Sequence, residues 1–234
     1  MAKKEYTMTV EKINKRKNRL KNIKLSLCII LVSLILLYVV LTLVYEEGRF
    51  TISLDKNLML EKGIVLYDNS STKESKNVLA AEKIEFMDNI SIKWIPDNIH
   101  NVAEGSHNGQ NYIAYTFYIE NKGEDTVNYW SEIIIDDVVK DVDEAIRVML
   151  FLNDTKTVYA KLNSSTGKPE EGTKPFYSEN SVLLEQRKDF KVGDVDKYTI
   201  VVWIEGDDPD CVNALLGGEI KMHMDIKEEH IEKK

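Results

Sequence analysis

An uninterrupted apolar run near the N-terminus constrains this chain more than any other feature of its sequence. Residues 25–45, from Leu25 to Tyr45, contain no charge, no proline and no glycine over 21 positions. A helix of that length spans roughly 31 Å at about 1.5 Å per residue, which matches the bilayer's hydrocarbon core of about 30 Å. The run therefore predicts one transmembrane α-helix, with membrane lipid as the partner of Leu25–Tyr45.

The charges around this run predict its orientation. Nine Lys or Arg residues and two Glu residues precede it, so residues 1–24 carry a net charge of +7. The whole chain has a net charge of −8, which leaves −15 for everything after Lys24. Because Lys and Arg next to a membrane span are retained on the cytoplasmic side, we expect the N-terminus inside the cell and the remainder outside.

A cleaved secretion signal is the alternative to a membrane anchor. Signal peptides have apolar regions of roughly 7–15 residues, followed by a cleavage site of small residues. Here the apolar run is longer, and the exit from Thr42 to Glu47 contains no A-x-A pattern. These features favour an uncleaved signal-anchor in a single-pass protein of the cell membrane.

The predicted organisation has four parts. Residues 1–24 form a basic cytoplasmic tail, 25–45 the transmembrane signal-anchor helix, 46–226 an extracellular domain and 227–234 a charged C-terminal tail. The acidic exterior disfavours nucleic acid as a partner, because phosphate binding needs a basic face. Surface or cell-wall proteins are the partners that this location favours.

The two cysteines cannot stabilise the outer domain through a disulfide within the chain. Cys28 lies inside the apolar run, and Cys211 is the only thiol in the predicted outer domain. The domain must therefore fold on its hydrophobic core alone. The lack of a disulfide framework favours a bacterial surface over an animal secreted protein.

Period-two alternation predicts that the outer domain is built from strands. Apolar residues alternate with other residues over 113–119, 146–152, 198–204 and 220–226, as in half-buried and sandwiched strands. Weaker strand candidates are 50–54, 58–67, 90–95, 129–139 and 155–162. Short helices are expected at 75–85 and 210–216, and the basic tail from Val10 extends the anchor helix inward. The sequence thus predicts a mainly β domain, an antiparallel β-sandwich of jelly-roll or Ig-like type, plus one N-terminal transmembrane helix.

An acidic cluster follows the apolar strand near residue 204. Asp207, Asp208 and Asp210 supply hard oxygen ligands at a density that suits Ca²⁺. The EF-hand spacing is missing, however, and Pro209 is typical of an ordinary acidic turn. The three aspartates are the calcium candidates of this sequence, and a solvated loop is the favoured alternative.

A second metal candidate lies on the last alternating segment. His223 and Asp225 are two residues apart on the polar face of that strand, where a pair of this kind could bind zinc. The chain has no H-E-x-x-H motif, and no two of its four histidines are at i, i+4 spacing. A plain exposed pair is the favoured interpretation.

The sequence contains no motif of a known catalytic or cofactor site. It has no G-x-S-x-G, no Walker A and no G-x-G-x-x-G, so no catalytic residue and no cofactor are predicted beyond the calcium candidate. Six aromatic residues could form a sugar-binding platform, although core packing is favoured for them. They are Tyr112, Tyr115, Phe117, Tyr118, Tyr129 and Trp130.

Two segments carry a resemblance to known surface proteins. FKVGDVDKYTIVVWIEGDDPDC, from Phe190 to Cys211, and GGEIKM, from Gly217 to Met222, resemble a group of membrane-anchored proteins of low-GC Gram-positive bacteria. The resemblance covers most of residues 46–226 and implies no particular activity. A looser similarity runs to camelysin and TasA-type surface proteins, which implies a jelly-roll fold. Those proteins end their signal in a processed alanine-containing site, and this chain does not.

Three functions are compatible with these patterns. The first is a non-enzymatic structural or interaction role at the cell envelope, which the anchor, the acidic β-domain and the missing catalytic motifs favour. The second is a metal-dependent, camelysin-like hydrolase that uses His223, Asp225 and the acidic turn at 207–210. The third is an ectodomain sensor that acts with a partner membrane protein, since only 24 residues are expected inside the cell.

Overall fold

The N-terminal part of the chain is one long helix. The computed structural model describes residues 10–45 and 49–228, with side chains of the first segment described from residue 14 to residue 40. Helix α1 (Val10–Tyr45) contains a stretch, Asn14–Val40, that is long and apolar enough to cross a membrane. Its apolar side chains from Leu20 to Val40 are all exposed. The predicted inward extension from Val10 is confirmed, and residues 1–9 of the predicted tail lie outside the described residues.

The second unit of the chain is a β-sandwich. Contacts divide the chain into Met1–Glu47 and Gly48–Lys234. Within residues 49–228 the strands are, in chain order, β1 (Thr51–Leu54), β2 (Ile64–Tyr67), β3 (Val78–Ala80), β4 (Gly105–Ser106), β5 (Ile113–Asn121), β6 (Val127–Val139), β7 (Ile146–Leu152), β8 (Thr155–Ala160), β9 (Lys174–Pro175), β10 (Ser181–Phe190), β11 (Val195–Ile204) and β12 (Glu219–Lys227). A short helix, α2 (Lys56–Leu60), separates β1 from β2.

Two sheets share the main hydrophobic core. The first sheet has the order β10-β6-β12-β1-β3, and the second has β2-β5-β11-β7-β8-β9, with β4 also paired to β5. Alternate residues of facing strands fill the space between them, for example Ile133 and Met224 from the first sheet and Phe117 and Ile200 from the second. The predicted β-sandwich, together with one helix able to span a membrane, is confirmed.

The two outer faces of the sandwich differ. The outer face of the first sheet, called here the open face, carries polar and charged side chains such as Glu132, His223, Asp225 and Lys227. The outer face of the second sheet is covered by residues from the segment 81–112 and is called here the covered face. A second apolar cluster lies there, made of Ile90, Ile95, Ile99, Ala114, Met149, Phe151, Val158, Val201 and Trp203.

The sheets are mixed rather than purely antiparallel. Most neighbours are antiparallel, but β1 pairs with β12 and β8 pairs with β9 in parallel. The parallel β1–β12 pair places the first strand of the domain beside the last one in the middle of the first sheet, where both contribute core residues. The two ends of the described domain are thereby joined through one sheet.

Several local predictions were wrong because tertiary contacts or helix caps determined the structure instead of local sequence preference. The predicted strand 58–67 begins instead as helix α2, because the Asp55 side chain accepts hydrogen bonds from the backbone of Asn57 and Leu58. The expected helix at 75–85 contains strand β3 beside β1. The expected strand 90–95 contains a 3₁₀ turn, Ile92–Trp94, capped by Ser91.

Strand β10 and the C-terminal boundary also differ from the prediction. No strand was predicted for β10, because it lies at the edge of the first sheet and does not alternate: Ser181, Val182 and Leu183 are all buried, and the side chains after Leu184 are mostly polar. The predicted charged tail 227–234 begins inside β12, which ends at Lys227. Residues 229–234 of that tail lie outside the described residues.

Candidate functional site

A buried ion pair anchors the acidic loop that follows β11. Arg147 lies on the outer side of β7, opposite Trp203 of β11 and Ala160 of β8. Its guanidinium donates to Asp208, and the two side chains are 4 % and 1 % exposed. A charge buried at this depth is tolerated only when it is paired, so each residue requires the other.

Glu205 connects the start of this loop to the covered face. Its carboxylate accepts hydrogen bonds from the Trp203 indole at 3.0 Å, from the Ile92 backbone at 3.1 Å and from the Asp207 backbone at 3.1 Å. Asp207 in turn accepts a hydrogen bond from the Ser91 hydroxyl at 2.7 Å. Hydrogen bonds to the carboxylates of Glu205 and Asp207 therefore hold this loop against the segment 81–112.

Three carboxylates lie close together where the loop after β11 contacts the segment 163–170. Oxygen atoms of Glu170, Asp208 and Asp210 lie within 4.8 Å of one another. Asp210 accepts hydrogen bonds from the Ser164 hydroxyl and from the Ser164 backbone at 2.8 Å, and these bonds hold the pKa of its carboxyl below the usual range. Glu170 accepts a hydrogen bond from the Asn163 amide at 2.9 Å.

The structure thus brings together two of the three calcium candidates. Asp208 and Asp210 share the group with Glu170, whereas Asp207 is not part of it and lies against Ser91. Ca²⁺ takes six to eight oxygen ligands, and here the Arg147 guanidinium already neutralises Asp208. The group crosslinks the loop after β11 to β7 and to the segment 163–170, and its binding of Ca²⁺ stays a prediction.

His223 lies in a separate charged network on the open face. Strand β6 has an irregular register between Ile135 and Asp137, which places Asp136 beside β12. His223 Nδ1 lies 2.8 Å from Asp136, and its Nε2 lies 3.6 Å from Asp225. Asp225 also accepts a hydrogen bond from the Ser53 hydroxyl at 2.6 Å and lies 2.8 Å from Lys227 Nζ.

The two carboxylates beside His223 keep its imidazole protonated. Asp225 and Asp136 outweigh the effect of burial and raise the pKa of His223 to about 9. Although burial raises the pKa of Asp225, the positive charges of His223 and Lys227 and the hydrogen bond from Ser53 hold that pKa well below the usual range. Since an imidazolium has no lone pair for a metal, this pairing favours a proton over zinc, and the zinc candidate stays a prediction.

Two residues beside the aspartates of the acidic loop, Arg147 and Glu170, were missed by sequence reasoning. Arg147 carried a usable signal, because a charged residue between Ile146 and Val148 in an apolar strand needs a buried partner. Glu170 carried none, since it lies in a polar stretch whose position beside Asp210 depends on the path of the loop. Neither residue is close in sequence to the aspartates.

The six aromatic candidates separate by burial. Tyr115, Phe117 and Tyr129 are buried in the core between the sheets, where core packing was expected. Tyr112 packs at the covered face, and Tyr118 stacks on Tyr67 with ring centroids 5.4 Å apart. Trp130 is half-buried on the open face. The aromatics therefore do not form one platform.

These features define a β-sandwich protein with one helix able to span a membrane. No protein-family model matches the chain, and no curated protein matches its sequence. Among solved structures, it is similar to a crystal structure of β-glucosidase from Kluyveromyces marxianus in complex with glucose, with a TM-score of 0.26 and 12 % identity over 72 % of this chain. The Se-Met-labelled form of that enzyme gives a TM-score of 0.23 and 12 % identity over 69 % of this chain.

These similarities assign neither a fold family nor an activity. The chain spans 15 % and 16 % of the length of the two β-glucosidase chains. At such TM-scores the shared arrangement is too small to support an argument about function.

Proposed function

We propose that the chain is a single-pass membrane protein whose β-sandwich lies outside the cell and serves a non-enzymatic interaction role at the cell envelope. Helix α1 is the observation that carries this proposal. Its stretch Asn14–Val40 has the length and composition of a membrane span, and its apolar side chains are exposed. Exposed apolar surface of this extent favours transfer from water into lipid.

The charge distribution supports the orientation. Residues 1–24 carry +7 and the remainder carries −15. Basic residues on the cytoplasmic side are attracted to anionic lipid headgroups, at about 1 kcal/mol for each residue near the surface. An acidic domain has no such attraction and is placed most favourably on the opposite side.

The arrangement of the acidic side chains supports an interaction role over catalysis. General acid–base chemistry needs a carboxyl that can reach a substrate proton. Within the described residues, the group with the spacing of a metal site consists of Asp208, Asp210 and Glu170. These three carboxylates accept hydrogen bonds from the chain itself. They act as crosslinks within the domain, which suits a rigid binding module.

Cysteine labelling in intact cells tests the topology. In a chain with Cys28 and Cys211 replaced by Ser, Lys168→Cys in an exposed loop of the sandwich should react with a membrane-impermeant maleimide. Lys17→Cys, exposed on α1 before the apolar run, is the matched control and should react only after permeabilisation. The reverse pattern would overturn the proposed orientation, and an intact mass lacking residues 1–45 would show a cleaved signal instead.

Gene deletion tests the interaction role. We expect deletion to alter the cell envelope or matrix when it is imaged, and re-expression of the intact chain to restore it. Re-expression of a chain without α1 is the control and should fail, because the domain is no longer held at the membrane. An unchanged surface accompanied by loss of a hydrolytic activity would favour the enzyme hypothesis.

A further inference from the structure

Strand β10 forms the longest edge of the described sandwich. The other strands at the ends of the two sheets, β2, β3 and β9, have four, three and two residues, whereas β10 has ten. An edge strand presents unpaired backbone groups, and proteins commonly keep such strands short or cover them. Among residues 49–228, β10 is therefore the strand to which another strand adds most readily.

The backbone groups of β10 alternate between the sheet and the free edge. The Ile135 N–H of β6 donates to the Asn180 carbonyl at 2.9 Å, so the odd-numbered residues of β6 direct their backbone groups toward β10. In the register they face the odd-numbered residues of β10 from 183 to 187. The N–H and C=O groups of the even-numbered residues consequently point away from the sheet, and these residues are Leu184, Gln186 and Lys188.

The open part of this edge extends from Leu184 to Lys188. Before it, the Tyr177 N–H donates to the Val182 carbonyl at 3.1 Å, so the chain covers its own edge there. Within residues 49–228, the hydrogen bond made to the outward groups after Val182 comes from the Arg187 guanidinium to the Lys188 carbonyl, which has a second lone pair. Five consecutive residues with the sequence LEQRK are therefore available for pairing.

This segment is complementary to itself. When two copies pair antiparallel about Gln186, the two Gln186 residues exchange backbone hydrogen bonds, as in any hydrogen-bonded pair of an antiparallel ladder. Glu185 of each copy then faces Arg187 of the other, and opposite charges at facing positions stabilise strand pairing. Leu184 faces Lys188, whose aliphatic stem can cover it. Each contact occurs twice, because the arrangement has two-fold symmetry.

The neighbouring registers lack this complementarity. Pairing about Glu185, about Arg187 or about Lys188 places two like charges directly opposite each other, which is destabilising. Pairing about residue 184 brings Val182 into the contact, and its carbonyl already has a partner in its own chain. Of these five registers, the one in which Glu185 faces Arg187 is therefore favoured.

Both charged residues keep their contacts within the chain in this pairing. Glu185 accepts a hydrogen bond from the Tyr159 hydroxyl at 2.5 Å, and Arg187 donates to Asp196 at 2.8 Å. These contacts hold the two side chains on the side of β10 that faces the second sheet, since Tyr159 and Asp196 belong to β8 and β11. A second copy would therefore meet side chains that are already ordered, and it would add an opposite charge beside each of them.

We propose that the β10 edge binds a second copy of this chain, antiparallel about Gln186, and so joins the first sheets of two copies into one continuous sheet. The contact is isologous, because the same five residues serve on both sides. It is also small, which favours reversible association over a permanent dimer. This self-association goes beyond the proposed envelope role and does not depend on the membrane topology, because it stands on the β10 edge alone.

Cysteine cross-linking tests the register in the full chain with Cys28→Ser and Cys211→Ser, held in detergent micelles. Gln186→Cys should form a covalent dimer on mild oxidation, because the Cα atoms of a hydrogen-bonded antiparallel pair lie about 5.5 Å apart, within the range of a disulfide. Lys188→Cys is the matched control, since those residues of the two copies would stand about 13 Å apart along the strands. It should cross-link at least about tenfold more slowly, and a mixture of Leu184→Cys and Lys188→Cys chains should give the mixed dimer.

Gln186→Pro tests the edge without cysteines. The Gln186 N–H points away from β6, so proline there removes a donor to the second copy and spares the ladder between β6 and β10. By sedimentation equilibrium in detergent, we expect the parent chain to dimerise with a Kd below about 100 μM and Gln186→Pro to stay monomeric. Gln186→Thr is the control and should dimerise like the parent.

A variant at the same exposed position decides if Gln186→Pro impairs folding, as judged by thermal unfolding. Gln186→Lys places two like charges opposite each other and should weaken the dimer about fivefold. Three results would overturn the proposal. They are a parent chain that stays monomeric at about 100 μM, a dimer that well-folded Gln186→Pro or Gln186→Lys leaves unchanged, and equal cross-linking rates for Gln186→Cys and Lys188→Cys.

Discussion

The covered face and the open face are built from strands of similar length but use their outward residues differently. On the covered face, β7 and β11 are buried on both sides, because residues from the segment 81–112 pack over Met149, Val201 and Trp203. On the open face, outward residues of β6 and β12 form a half-exposed ionic network around His223. Among residues 49–228, the sandwich therefore has a second apolar layer on one side only.

The difference between the two faces shows how the domain tolerates charged side chains. The Arg147–Asp208 pair on the covered side is removed from water and depends fully on its partner. The pairs around His223 stay in contact with water, where ion pairs contribute about 0–1 kcal/mol each. Substitutions on the two faces should consequently lower the free energy of unfolding by different amounts.

Removal of the Trp203 side chain should have the largest effect. Trp203 is fully buried, and its indole also donates to Glu205, so Trp203→Ala should lower the free energy of unfolding by about 3–5 kcal/mol. The exposed Trp94 is the control, and Trp94→Ala should cost less than about 0.5 kcal/mol. Urea unfolding of the solubilised chain, followed by circular dichroism, measures both. Equal costs would mean that the covering segment does not form a second core.

Breaking the buried ion pair should cost about 3 kcal/mol or more. Arg147→Met leaves the Asp208 carboxylate buried without its counter-charge, and urea unfolding measures the loss. The double variant Arg147→Met/Asp208→Leu removes both charges and should recover most of the stability. Lys227→Met on the open face is the matched control, with an expected cost within about 1 kcal/mol. A double variant as unstable as Arg147→Met would contradict this account.

The His223 network should make stability depend on pH in a defined window. The pKa of His223 is raised from 6.5 to about 9 in the folded chain, so its stabilisation is complete below about pH 6.5 and is lost as pH rises through 9. Between pH 6 and pH 9.5 the free energy of unfolding should fall by at most about 3 kcal/mol more in the parent chain than in His223→Gln. Parallel curves for the two chains would show that the histidine is not charged by its neighbours.

Calcium should have the smallest effect. A site with a Kd of about 1 mM would add about 1.4 kcal/mol at about 10 mM Ca²⁺, but Asp208 and Asp210 are already satisfied by Arg147 and Ser164. We therefore expect no measurable shift of the unfolding midpoint. A shift that Asp210→Asn abolishes and Asp137→Asn, an exposed control, preserves would establish a calcium site.

The sequence predicted the strands that alternate most clearly. Strand β12 follows the expected alternation, with Met222, Met224 and Ile226 inside and His223 outside. Strand β10 was missed because its edge position relaxes the pattern. The helix expected at 75–85 was wrong because strand β3 gains its hydrogen bonds from β1, which local propensity does not register.

The candidate site could be predicted only in part. The aspartates of the acidic loop were visible as a cluster, but their partners Arg147 and Ser164 come from other segments. Trp130 was visible as one of six aromatics, and only its strand register separates it from buried neighbours such as Tyr129. The sequence thus showed which side chains are adjacent along the chain. Their partners in the fold could not be predicted, because those partners come from distant segments.

By itself, the sequence determined the apolar helix, the charge asymmetry around it and the β class of the domain, because these depend on local composition and periodicity. Tertiary structure decided which face is covered and which charges pair. Arg147 and Asp208 are 61 positions apart, and Asp136 and His223 are 87 apart. Such pairs form only when distant strands take one register, and that register is selected by the packing of the whole core.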